Sequence, residues 1–281
     1  MILELTKLSD KEYRQISGLV YSKFGINLGE QKKSLIAGRL NKVLHQNGFE
    51  TFEQYYNYLV ADQSGKALTT LIDHISTNHT FFYRENDHFE YLLSTALPEI
   101  TAQLRVQKRN DLRIWCAGCS TGEEPYTLAM MVKEHLGNGI ANWDVGILAT
   151  DISSRALDIA TEGIYTTENI SHLPAALKYS YFQKHGDGNW KAKSQLVEMI
   201  TFRRLNLMRD AYPFRGKFQV IFCRNVMIYF DRPTRDKLLD KFSRYFEPKG
   251  YLFIGHSESL GQGNGLFDFI NPAIYRKRHP A

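Results

Sequence analysis

The sequence predicts an α/β protein. Its main part is a doubly wound, Rossmann-like domain with a seven-stranded sheet, preceded by a small all-helical domain and interrupted by an inserted β-subdomain. Three observations lead to this prediction. Residues 112–136 read as a strand, a turn of small residues and a helix, as at the start of such a domain. Further apolar strand segments alternate with helical patterns after residue 136. Residues 1–85 read as all-helical.

The bulk composition is that of an ordinary globular protein, with 43% hydrophobic and 23% charged residues in a chain of 281. No apolar run approaches the ~20 residues that a bilayer span needs, and the first residues lack the basic start and apolar core of a signal peptide. We therefore expect a cytoplasmic protein without direct membrane insertion. The net charge of +5 favours an acidic partner, either nucleic acid or an acidic protein surface.

The cysteines do not indicate a disulfide framework, because there are three of them: Cys116, Cys119 and Cys223. Cys116 and Cys119 form a C-x-x-C pair, which would suit a redox dithiol or half of a zinc site. No second pair of ligands completes four, so we favour small residues that fill a tight turn and predict no metal.

The helical part is predicted to contain four short helices. Ser9 and Glu12 form a capping box for the first, which ends near Gly25. The second runs over about 31–46 and ends at Gly48. A second capping box opens the third helix, and the fourth helix follows it. The predicted inner faces are Tyr13, Ile16, Val20, Tyr21 and Phe24 in the first helix, Leu35, Ile36, Leu40, Val43 and Leu44 in the second, and Leu68, Leu71, Ile72 and Ile75 in the fourth. Thr51 and Gln54 form the second capping box, and the third helix carries Phe52, Tyr55, Tyr56 and Leu59.

The second helix also carries a basic face, made of Lys32, Lys33, Arg39 and Lys42. Most charged stripes on helices are solvated surfaces without a partner. The alternative is that Lys32, Arg39 and Lys42 contact an acidic surface, which the positive net charge supports weakly.

The segment 77–85 fits no single periodicity and lies between the helical and α/β parts. It supplies an amide, a hydroxyl and a guanidinium from Asn78, Thr80 and Arg84. Loop-like segments at such junctions often line ligand sites, although a latch between domains is the alternative.

The turn that opens the α/β domain carries two acidic residues, Glu123 and Glu124, in the first turn of its helix. They would repel the phosphate that binds at this position in dinucleotide-binding folds. They suit a ligand with positive charge, such as S-adenosylmethionine (SAM), which has a sulfonium, an ammonium and no phosphate. The alternative is that both glutamates complement the helix dipole.

The remaining elements complete the predicted sheet. A helix begins at about Asn86, with Pro98 starting or kinking a turn in it. Residues 248–250 are predicted to form a turn.

Residues 164–200 interrupt the alternation of strands and helices and contain a hairpin turn at 186–189, so we expect an appended lobe there. Strands are predicted at 111–116, 145–150, 200–205, 218–223 and 251–255, with a helix over 234–246 and a terminal hairpin over 266–278. The strand ends carry Cys116, Asp151, Asn206, Asn225 and His256, at the edge that faces the ligand in this fold.

Asp151 ends the second strand, where a carboxylate holds the ribose hydroxyls of a nucleoside in this fold. The sequence separation between Gly118 and Asp151 is longer than the usual ~20 residues, and the helix between them explains most of the additional length. A helix-capping role is the alternative, since Ser153 and Ser154 follow.

Together these segments resemble the CheR family, the SAM-dependent methyltransferases that esterify glutamates of bacterial chemotaxis receptors. The match spans nearly the whole chain. It rests on residues 77–85, WCAGCSTGEEPYT (115–127), ATDIS (149–153), RRLNL (203–207), FQVIFCRNVMIYFD (218–231) and LFIGHSESL (252–260). The resemblance implies a helical receptor-recognition domain over 1–85, a methyltransferase domain over 86–281 with a β-subdomain at 164–200, and SAM as the cofactor.

The resemblance also implies site residues. The cofactor-binding positions are Asn78, Thr80, Arg84, Glu124, Asp151, Asn206, Leu207, Asn225 and Val226, with Glu124 favoured over Glu123. Arg39 and Lys42 lie where the family meets the acidic helices of the receptor's cytoplasmic region.

The expected reaction needs no general base, because a glutamate side chain is already ionised at neutral pH, with a reference pKa near ~4.3. We expect Arg84 and Tyr229 to line the place where the acceptor carboxylate meets the methyl group. An arginine could hold one carboxylate oxygen while the other attacks.

One departure from the family concerns receptor docking. Some members bind a pentapeptide at the receptor's carboxyl terminus through a glycine loop in the β-subdomain. The stretch 182–202 looks about three residues shorter than in those members, so we expect the untethered kind.

Other functions are less favoured. Asn225 is followed by Val-Met-Ile and not by the prolines of amino-methylating enzymes, and no dense basic cluster with stacking aromatics indicates nucleic-acid binding. A non-catalytic module that senses SAM is a second alternative. An NAD-linked oxidoreductase is disfavoured because the turn lacks G-x-G-x-x-G. We expect a monomer.

Overall fold

A computed structural model of the chain describes residues 5–261 and 265–278. Its amino-terminal part is a bundle of α-helices, as predicted. The helices are α1 (Asp10–Phe24), α2 (Lys33–Asn47), α3 (Phe52–Ala61) and α4 (Lys66–Ile75), with a 3₁₀ turn at Glu30–Lys32 before α2.

The predicted end signals of α1 are present. The Ser9 hydroxyl accepts a hydrogen bond from the Glu12 N–H, and the Glu12 carboxylate accepts one from the Ser9 N–H at 2.9 Å. Gly25 ends the helix with a φ of +69°, the left-handed conformation that glycine adopts without strain. The capping box and the position of Gly25 are therefore confirmed.

Three predictions about the bundle are wrong in part. Leu35 is 50% exposed and Tyr21 44% exposed, so neither belongs to the inner faces predicted for them. Both side chains instead turn toward the rest of the molecule: Leu35 lines the cavity described below, and the Tyr21 hydroxyl donates to Asp231 at 2.7 Å. At α3 the second half of the capping box is displaced, because the Gln54 side chain accepts from the N–H of Glu50 and not of Thr51.

A long irregular helix leads from the bundle into the sheet domain. It consists of α5 (Asn86–Tyr91), a π-helical stretch (Leu92–Ala96) and α6 (Leu97–Val106). Pro98 is the second residue of α6, a position that tolerates proline because the first helical N–H groups have no partner within the helix. A new helical segment therefore starts beside Pro98, as predicted.

The sheet domain contains the predicted seven strands. They are β1 (Asp111–Ala117), β2 (Asp144–Asp151), β6 (Ile200–Arg204), β7 (Phe218–Cys223), β8 (Phe246–Ile254), β9 (Phe267–Asn271) and β10 (Ile274–Lys277). Their order across the sheet is β6-β2-β1-β7-β8-β10-β9. The first five are parallel, and β10 pairs antiparallel with both β8 and β9.

The two faces of the sheet form separate cores, because side chains alternate along each strand. Ile114 and Cys116 of β1 belong to one core, with residues of α5, α6 and α7 (Glu123–Leu136). Trp115 and Ala117 belong to the other, with α11 (Arg232–Tyr245). Helices therefore cover both sides of the sheet, as in a doubly wound fold. The bundle has a third core of its own.

The inserted lobe is a three-stranded antiparallel sheet of β3 (Ile164–Thr166), β4 (Phe182–His185) and β5 (Asn189–Ala192), in the order β3-β5-β4. Its hairpin turn lies at 186–188, as predicted. The neighbouring helices are α8 (Ser154–Glu162), α9 (Ala175–Tyr181) and α10 (Ser194–Val197).

The turn predicted at 248–250 is instead a bulge inside β8. Pairing between β7 and β8 shifts register between Phe218 and Val220, and Lys249 takes a φ of +61°. The sequence Pro248-Lys249-Gly250 has the composition of a turn, but the chain continues in the same strand after it. Across the described ranges, every helix is too short or too polar to cross a bilayer.

Candidate cofactor and methyl-transfer site

A cavity opens at the carboxyl ends of the parallel strands, between the sheet and the helical bundle. The turn after β1 and the end of β2 form its floor. Helix α2 and the junction 76–84 close it from the bundle side. The predicted site residues that line it are Arg39, Asn78, Thr80, Arg84, Glu124, Asp151, Asn206, Leu207, Asn225, Val226 and Tyr229. The fold therefore brings together residues that lie far apart in the sequence.

Backbone hydrogen bonds hold the turn after β1 against the end of β2. The N–H groups of Gly118 and Cys119 both donate to the carbonyl of Thr150, at 2.7 and 2.9 Å. Gly118 has a φ of +98°, and a Cβ there would lie 2.3 Å from Cγ2 of Val226. Glycine therefore suits this position, because Val226 fills the space that a side chain would need and the left-handed backbone is unstrained only for glycine.

Asp151 presents a buried carboxylate at the end of β2. One oxygen accepts a hydrogen bond from the Ser120 N–H at 2.8 Å, and the other accepts from the Ser153 N–H at 2.9 Å. Burial raises the pKa of this carboxyl, and the two N–H donors oppose that rise. Each oxygen keeps a further lone pair, so the group can also accept hydrogen bonds from the two hydroxyls of a ribose.

The two glutamates of α7 have different surroundings. Glu123 is buried and accepts a hydrogen bond from the Thr121 hydroxyl at 2.7 Å. Glu124 lines the cavity, where it accepts from the thiol of Cys116 at 2.9 Å and from Arg224 at 3.0 Å. Burial raises the pKa of Glu124, and the positive charge of Arg224 opposes this. The geometry favours Glu124 for contact with a cationic ligand, and that assignment stays a prediction.

Arg224 joins three segments of the site, and the sequence did not single it out. Its guanidinium donates to Glu124 at 3.0 Å, to Glu85 at 3.1 and 3.3 Å, and to the carbonyl of Arg84. The side chain is 2% exposed and lies over the ring of Phe89. Its partners are far apart in the sequence. A signal that could have found it is an arginine directly after a buried strand, where it must be paired.

Asn225 occupies a tightly bounded position at the end of β7. Its backbone is left-handed, with a φ of +56°, and its N–H donates to the buried carboxylate of Glu258 at 3.0 Å. Its side-chain amide donates to Glu85 at 3.2 Å. A Cβ on Gly255 would lie 2.5 Å from that amide nitrogen. Glu85 and Glu258, which the sequence reading also missed, therefore hold Asn225 in place.

The junction is attached to the β1 turn. The Ser120 hydroxyl donates to the carbonyl of Asn78 at 3.1 Å. Arg84 donates to the carbonyl of His79 at 2.9 Å, and its guanidinium lies over the ring of Phe81. The side chains of Asn78, Thr80 and Arg84 are all half-buried at the cavity wall.

The bundle contacts the sheet domain beside the cavity. Ile26 pairs with Phe230 in an antiparallel bridge, and the Asn27 N–H donates to the carbonyl of Tyr229 at 2.8 Å. The ammonium of Lys32 lies 5.0 Å from the centre of the Tyr229 ring. These contacts place Tyr229 at the boundary between the two parts.

Asn206 and Leu207 line the cavity, and several of their polar groups already make hydrogen bonds within the protein. The Asn206 amide donates to the carbonyl of Lys23 at 2.7 Å, and its oxygen accepts from the Met208 N–H at 2.9 Å. The Leu207 carbonyl accepts from the Tyr212 hydroxyl at 2.8 Å. Asn206 thus also contributes to the contact between the bundle and the sheet domain.

The two predicted receptor-binding residues lie in different settings. The Arg39 guanidinium donates to the carbonyls of Ile75 and Ser76, at 2.6 and 3.1 Å, and to the Thr77 hydroxyl. It therefore anchors the start of the junction. Lys42 is exposed and lies outside the cavity lining.

Glu85, His88 and His256 place one possible metal-ligand atom each within 4.8 Å of one another. His88 is fully buried, and among the described residues neither ring nitrogen has a hydrogen-bond partner. The carboxylate of Glu85, however, already accepts from Arg224, Asn225 and the His256 N–H. The guanidinium faces the place where a cation would bind, so we assign no metal to this group.

Charge gives the cavity its chemical character. Its lining carries two carboxylates, Glu124 and Asp151, and four cations, Lys32, Arg39, Arg84 and Arg224. Arg224 is paired with Glu85 and Glu124, and Arg39 is hydrogen-bonded to main-chain carbonyls. The part of the cavity beside Glu124 and Asp151 can therefore accept cationic and hydroxyl groups of a nucleoside.

Comparisons with known proteins agree with this reading. Residues 11–76 match the model "CheR methyltransferase, all-alpha domain", and residues 78–275 match "CheR methyltransferase, SAM binding domain". A chemotaxis protein methyltransferase from Borreliella burgdorferi is 46% identical over 270 residues, covering 96% of this chain and 95% of its own. One from Escherichia coli is 34% identical over 281 residues, covering 98% and 94%. A crystal structure of SAM-dependent methyltransferases from Methanosarcina mazei aligns over 52% of each chain at 19% identity and a TM-score of 0.31, too low to support a functional inference.

Proposed function

Because the chain belongs to the CheR family of SAM-dependent methyltransferases, we propose that it methylates glutamate side chains of chemotaxis receptors, forming the methyl esters used in sensory adaptation. The observation that carries this proposal is the pair of carboxylates, Glu124 and Asp151, that line the cavity at the strand ends. They offer negative charge and hydroxyl acceptors to a cationic nucleoside. Gly118 lines the same cavity in the turn after β1.

The residues present fit SAM on three grounds. Asp151 keeps free lone pairs for ribose hydroxyls. Glu124 offers a carboxylate for an ammonium or sulfonium. Gly118, Cys119 and Ser120 of the turn after β1 line the cavity, so a ligand can contact the backbone there. When bound, SAM supplies a methyl group on a positively charged sulfur, and the sulfur keeps the electron pair of the bond that breaks.

The chain's own task is to position the acceptor. A glutamate carboxylate is ionised at neutral pH, so no side chain has to remove a proton from it. We assign Arg84 to hold one carboxylate oxygen while the other points at the methyl carbon. Tyr229 lines the same cavity and can donate a hydrogen bond from its hydroxyl. Orientation of this kind can supply up to roughly 7–11 kcal/mol of the barrier.

Water must be excluded for this arrangement to work, because a hydrated carboxylate is a weaker nucleophile. The bundle provides the cover: α2 and the junction close the side of the cavity opposite the sheet. The proposed division of the chain, a recognition domain over 1–85 and a catalytic domain over 86–281, follows from this placement.

Receptor recognition is proposed for the exposed side of α2. Lys42 is free to meet an acidic helix, and the net charge of +5 would attract one. Arg39 would act mainly by fixing the junction, since its guanidinium is already hydrogen-bonded. Because the proposed substrate is the cytoplasmic helical region of receptors, we propose that the enzyme acts in the cytoplasm.

We propose the untethered kind of docking because the stretch 182–202 looks about three residues shorter than in the tethered members. In this chain the stretch includes the hairpin from β4 to β5, with its turn over 186–188. A calorimetric titration with a receptor carboxyl-terminal pentapeptide tests this, and binding at about micromolar affinity or tighter would refute it.

The experiment that tests the proposed function is an assay of base-labile methyl groups. Candidate receptors in membranes are incubated with the enzyme and SAM labelled in its methyl group, then treated with alkali. We expect volatile methanol from receptors and none from RNA. A parallel arm with Lys42→Glu should raise the KM for receptor and leave cofactor binding unchanged. Label retained on RNA, or no alkali-labile product from any receptor, would contradict the proposal.

A further inference from the structure

The segments that line the cavity are joined by one buried ion-pair group. Arg224 lies at its centre and bridges Glu85, from the junction, and Glu124, from α7. A third bond from the same guanidinium goes to the backbone carbonyl of Arg84. One side chain therefore ties the proposed acceptor-binding arginine to the proposed cofactor-binding glutamate.

The group is built for orientation. A planar guanidinium can serve two carboxylates and a carbonyl together only in one arrangement, which fixes all three partners. Phe89 and Phe222 lie beside the guanidinium, 5.2 and 6.0 Å from their ring centres, and restrict its movement further. Glu124 is thereby turned so that its carboxylate lies at the cavity wall.

The charge of the group is also matched to a ligand. Two carboxylates and one guanidinium leave one net negative charge, which faces the cavity through Glu124. Burial of two carboxylates this close would otherwise favour protonation of one of them. Burial already raises the pKa of Glu124, and the guanidinium opposes that rise.

We propose that Arg224 is a positioning residue for methyl transfer, which holds the Glu124 carboxylate ionised and aimed at a cationic group of the cofactor. It does so without touching the substrates' reacting atoms. This inference rests on the proposed function, since it takes SAM as the ligand of the cavity.

The first test measures binding of S-adenosylhomocysteine, which keeps the ammonium, by calorimetry between about pH 6 and 8. Wild type should bind with little pH dependence. Arg224→Met should bind at least roughly tenfold more weakly, because a charged hydrogen-bond partner is lost. Its affinity should weaken further as the pH falls, because Glu85 and Glu124 then share a proton. The groups that face this pair are Arg84 and Cys116 at Glu124, and His88, Asn225 and His256 at Glu85.

Arg109 offers a matched control at the opposite end of the sheet. It also bridges two carboxylates, Asp111 and Glu247, at 2.8 and 2.9 Å. Arg109→Met should leave both the affinity and its pH profile unchanged. An equal loss in this variant would show a general effect of removing an arginine that bridges two carboxylates and would overturn the inference.

A second pair of variants separates positioning from folding. Arg224→Lys keeps the charge and should recover most of the pH independence, even if Arg224→Met does not fold. Glu85→Gln added to Arg224→Met removes the neighbouring carboxylate and should flatten the pH profile again. The role would be contradicted if Arg224→Met bound with wild-type affinity and showed no pH dependence. It would also be contradicted if the affinity of Arg224→Lys depended on pH as steeply as we expect for Arg224→Met. A wild type that binds no S-adenosylhomocysteine would contradict the proposed function itself.

Discussion

Asp151 is the residue to which we assign the binding of the ribose hydroxyls. Its carboxylate accepts hydrogen bonds from two backbone N–H groups and keeps lone pairs for a ribose. We expect Asp151→Asn to weaken S-adenosylhomocysteine binding by roughly ten- to a hundredfold. An amide has one acceptor oxygen where the carboxylate has two, so one ribose hydroxyl loses its acceptor. Calorimetric titration measures the change.

The control for this variant lies on the same strand. Asp144 begins β2 at the end remote from the cavity, where it pairs with Arg113. Asp144→Asn should bind like wild type. An unaltered dissociation constant in Asp151→Asn would remove that residue from the ribose site.

Arg84 is the residue to which acceptor positioning is assigned. Arg84→Ala should lower the methylation rate by roughly a hundredfold or more, since the carboxylate loses a charged hydrogen-bond donor at the moment of transfer. The fold should persist, because the main-chain carbonyl that Arg224 contacts remains. Single-turnover methylation of receptor, beside circular dichroism, tests this, and an unchanged rate would exclude Arg84 from the reaction.

His88 gives the fold a pH dependence of its own. Burial, with the nearby Arg224 charge, lowers the pKa of His88 from 6.5 to about 4. The unfolded chain takes up a proton on this histidine near its usual pKa, and the folded chain does so only near pH 4. As the pH falls between these values the unfolded state binds more protons, so the free energy of unfolding decreases, by up to about 3 kcal/mol.

The expected result is that His88→Phe loses this part of the pH dependence. Urea unfolding at a series of pH values measures it. His185→Phe, at an exposed position in the β-subdomain, is the control and should keep the wild-type slope. A slope in His88→Phe equal to that of wild type would refute the assignment.

At the scale of elements, the turn after β1 is the most constrained. Gly118→Ala places a Cβ 2.3 Å from Val226 in a backbone with a φ of +98°. We expect a loss of about 1–3 kcal/mol in the free energy of unfolding and weaker cofactor binding, because the strand ends must separate. Denaturant unfolding and calorimetry give the two quantities.

Gly139, which follows α7, supplies the control for that prediction. A Cβ added there meets no atom within 4 Å, so Gly139→Ala should be nearly neutral. Adding Val226→Ala to Gly118→Ala should recover part of the stability by removing the clash. No change in Gly118→Ala would show that the turn yields more easily than its contacts indicate.

The elements themselves were largely predictable because their signals are local. The seven strands were found from apolar runs, and Gly25 and Gly48 were found as helix ends because left-handed caps favour glycine. The bulge at Lys249 was taken for a turn, since a proline and a glycine next to it have the composition of one. Composition alone does not show whether a strand continues past such residues.

The interactions between elements were less predictable. Leu35 was placed in the bundle core because it fits the helical period, yet it faces the cavity that the sheet domain completes. Arg224 was missed because its partners, Glu85 and Glu124, lie far away in the sequence. Arg39 and Lys42 belong to one predicted basic face, but only Lys42 remains free of the junction.

At the scale of the molecule, the two cores of the sheet and the separate core of the bundle meet at the cavity. The bundle is attached beside the strand ends through Ile26, Asn27, Tyr21 and Lys23. Site residues from both parts therefore depend on this contact. Most of the predicted site residues line one cavity, and the folded chain shows which contacts orient them, while their roles stay predictions.

The central claim is that a cationic, phosphate-free nucleoside binds across the ends of the parallel strands. A crystal structure with S-adenosylhomocysteine tests it most directly. The account predicts ribose hydroxyls on the carboxylate of Asp151, the ammonium near Glu124, and the sulfur between Arg84 and Tyr229. An empty crevice, or the nucleoside bound elsewhere on the chain, would contradict it.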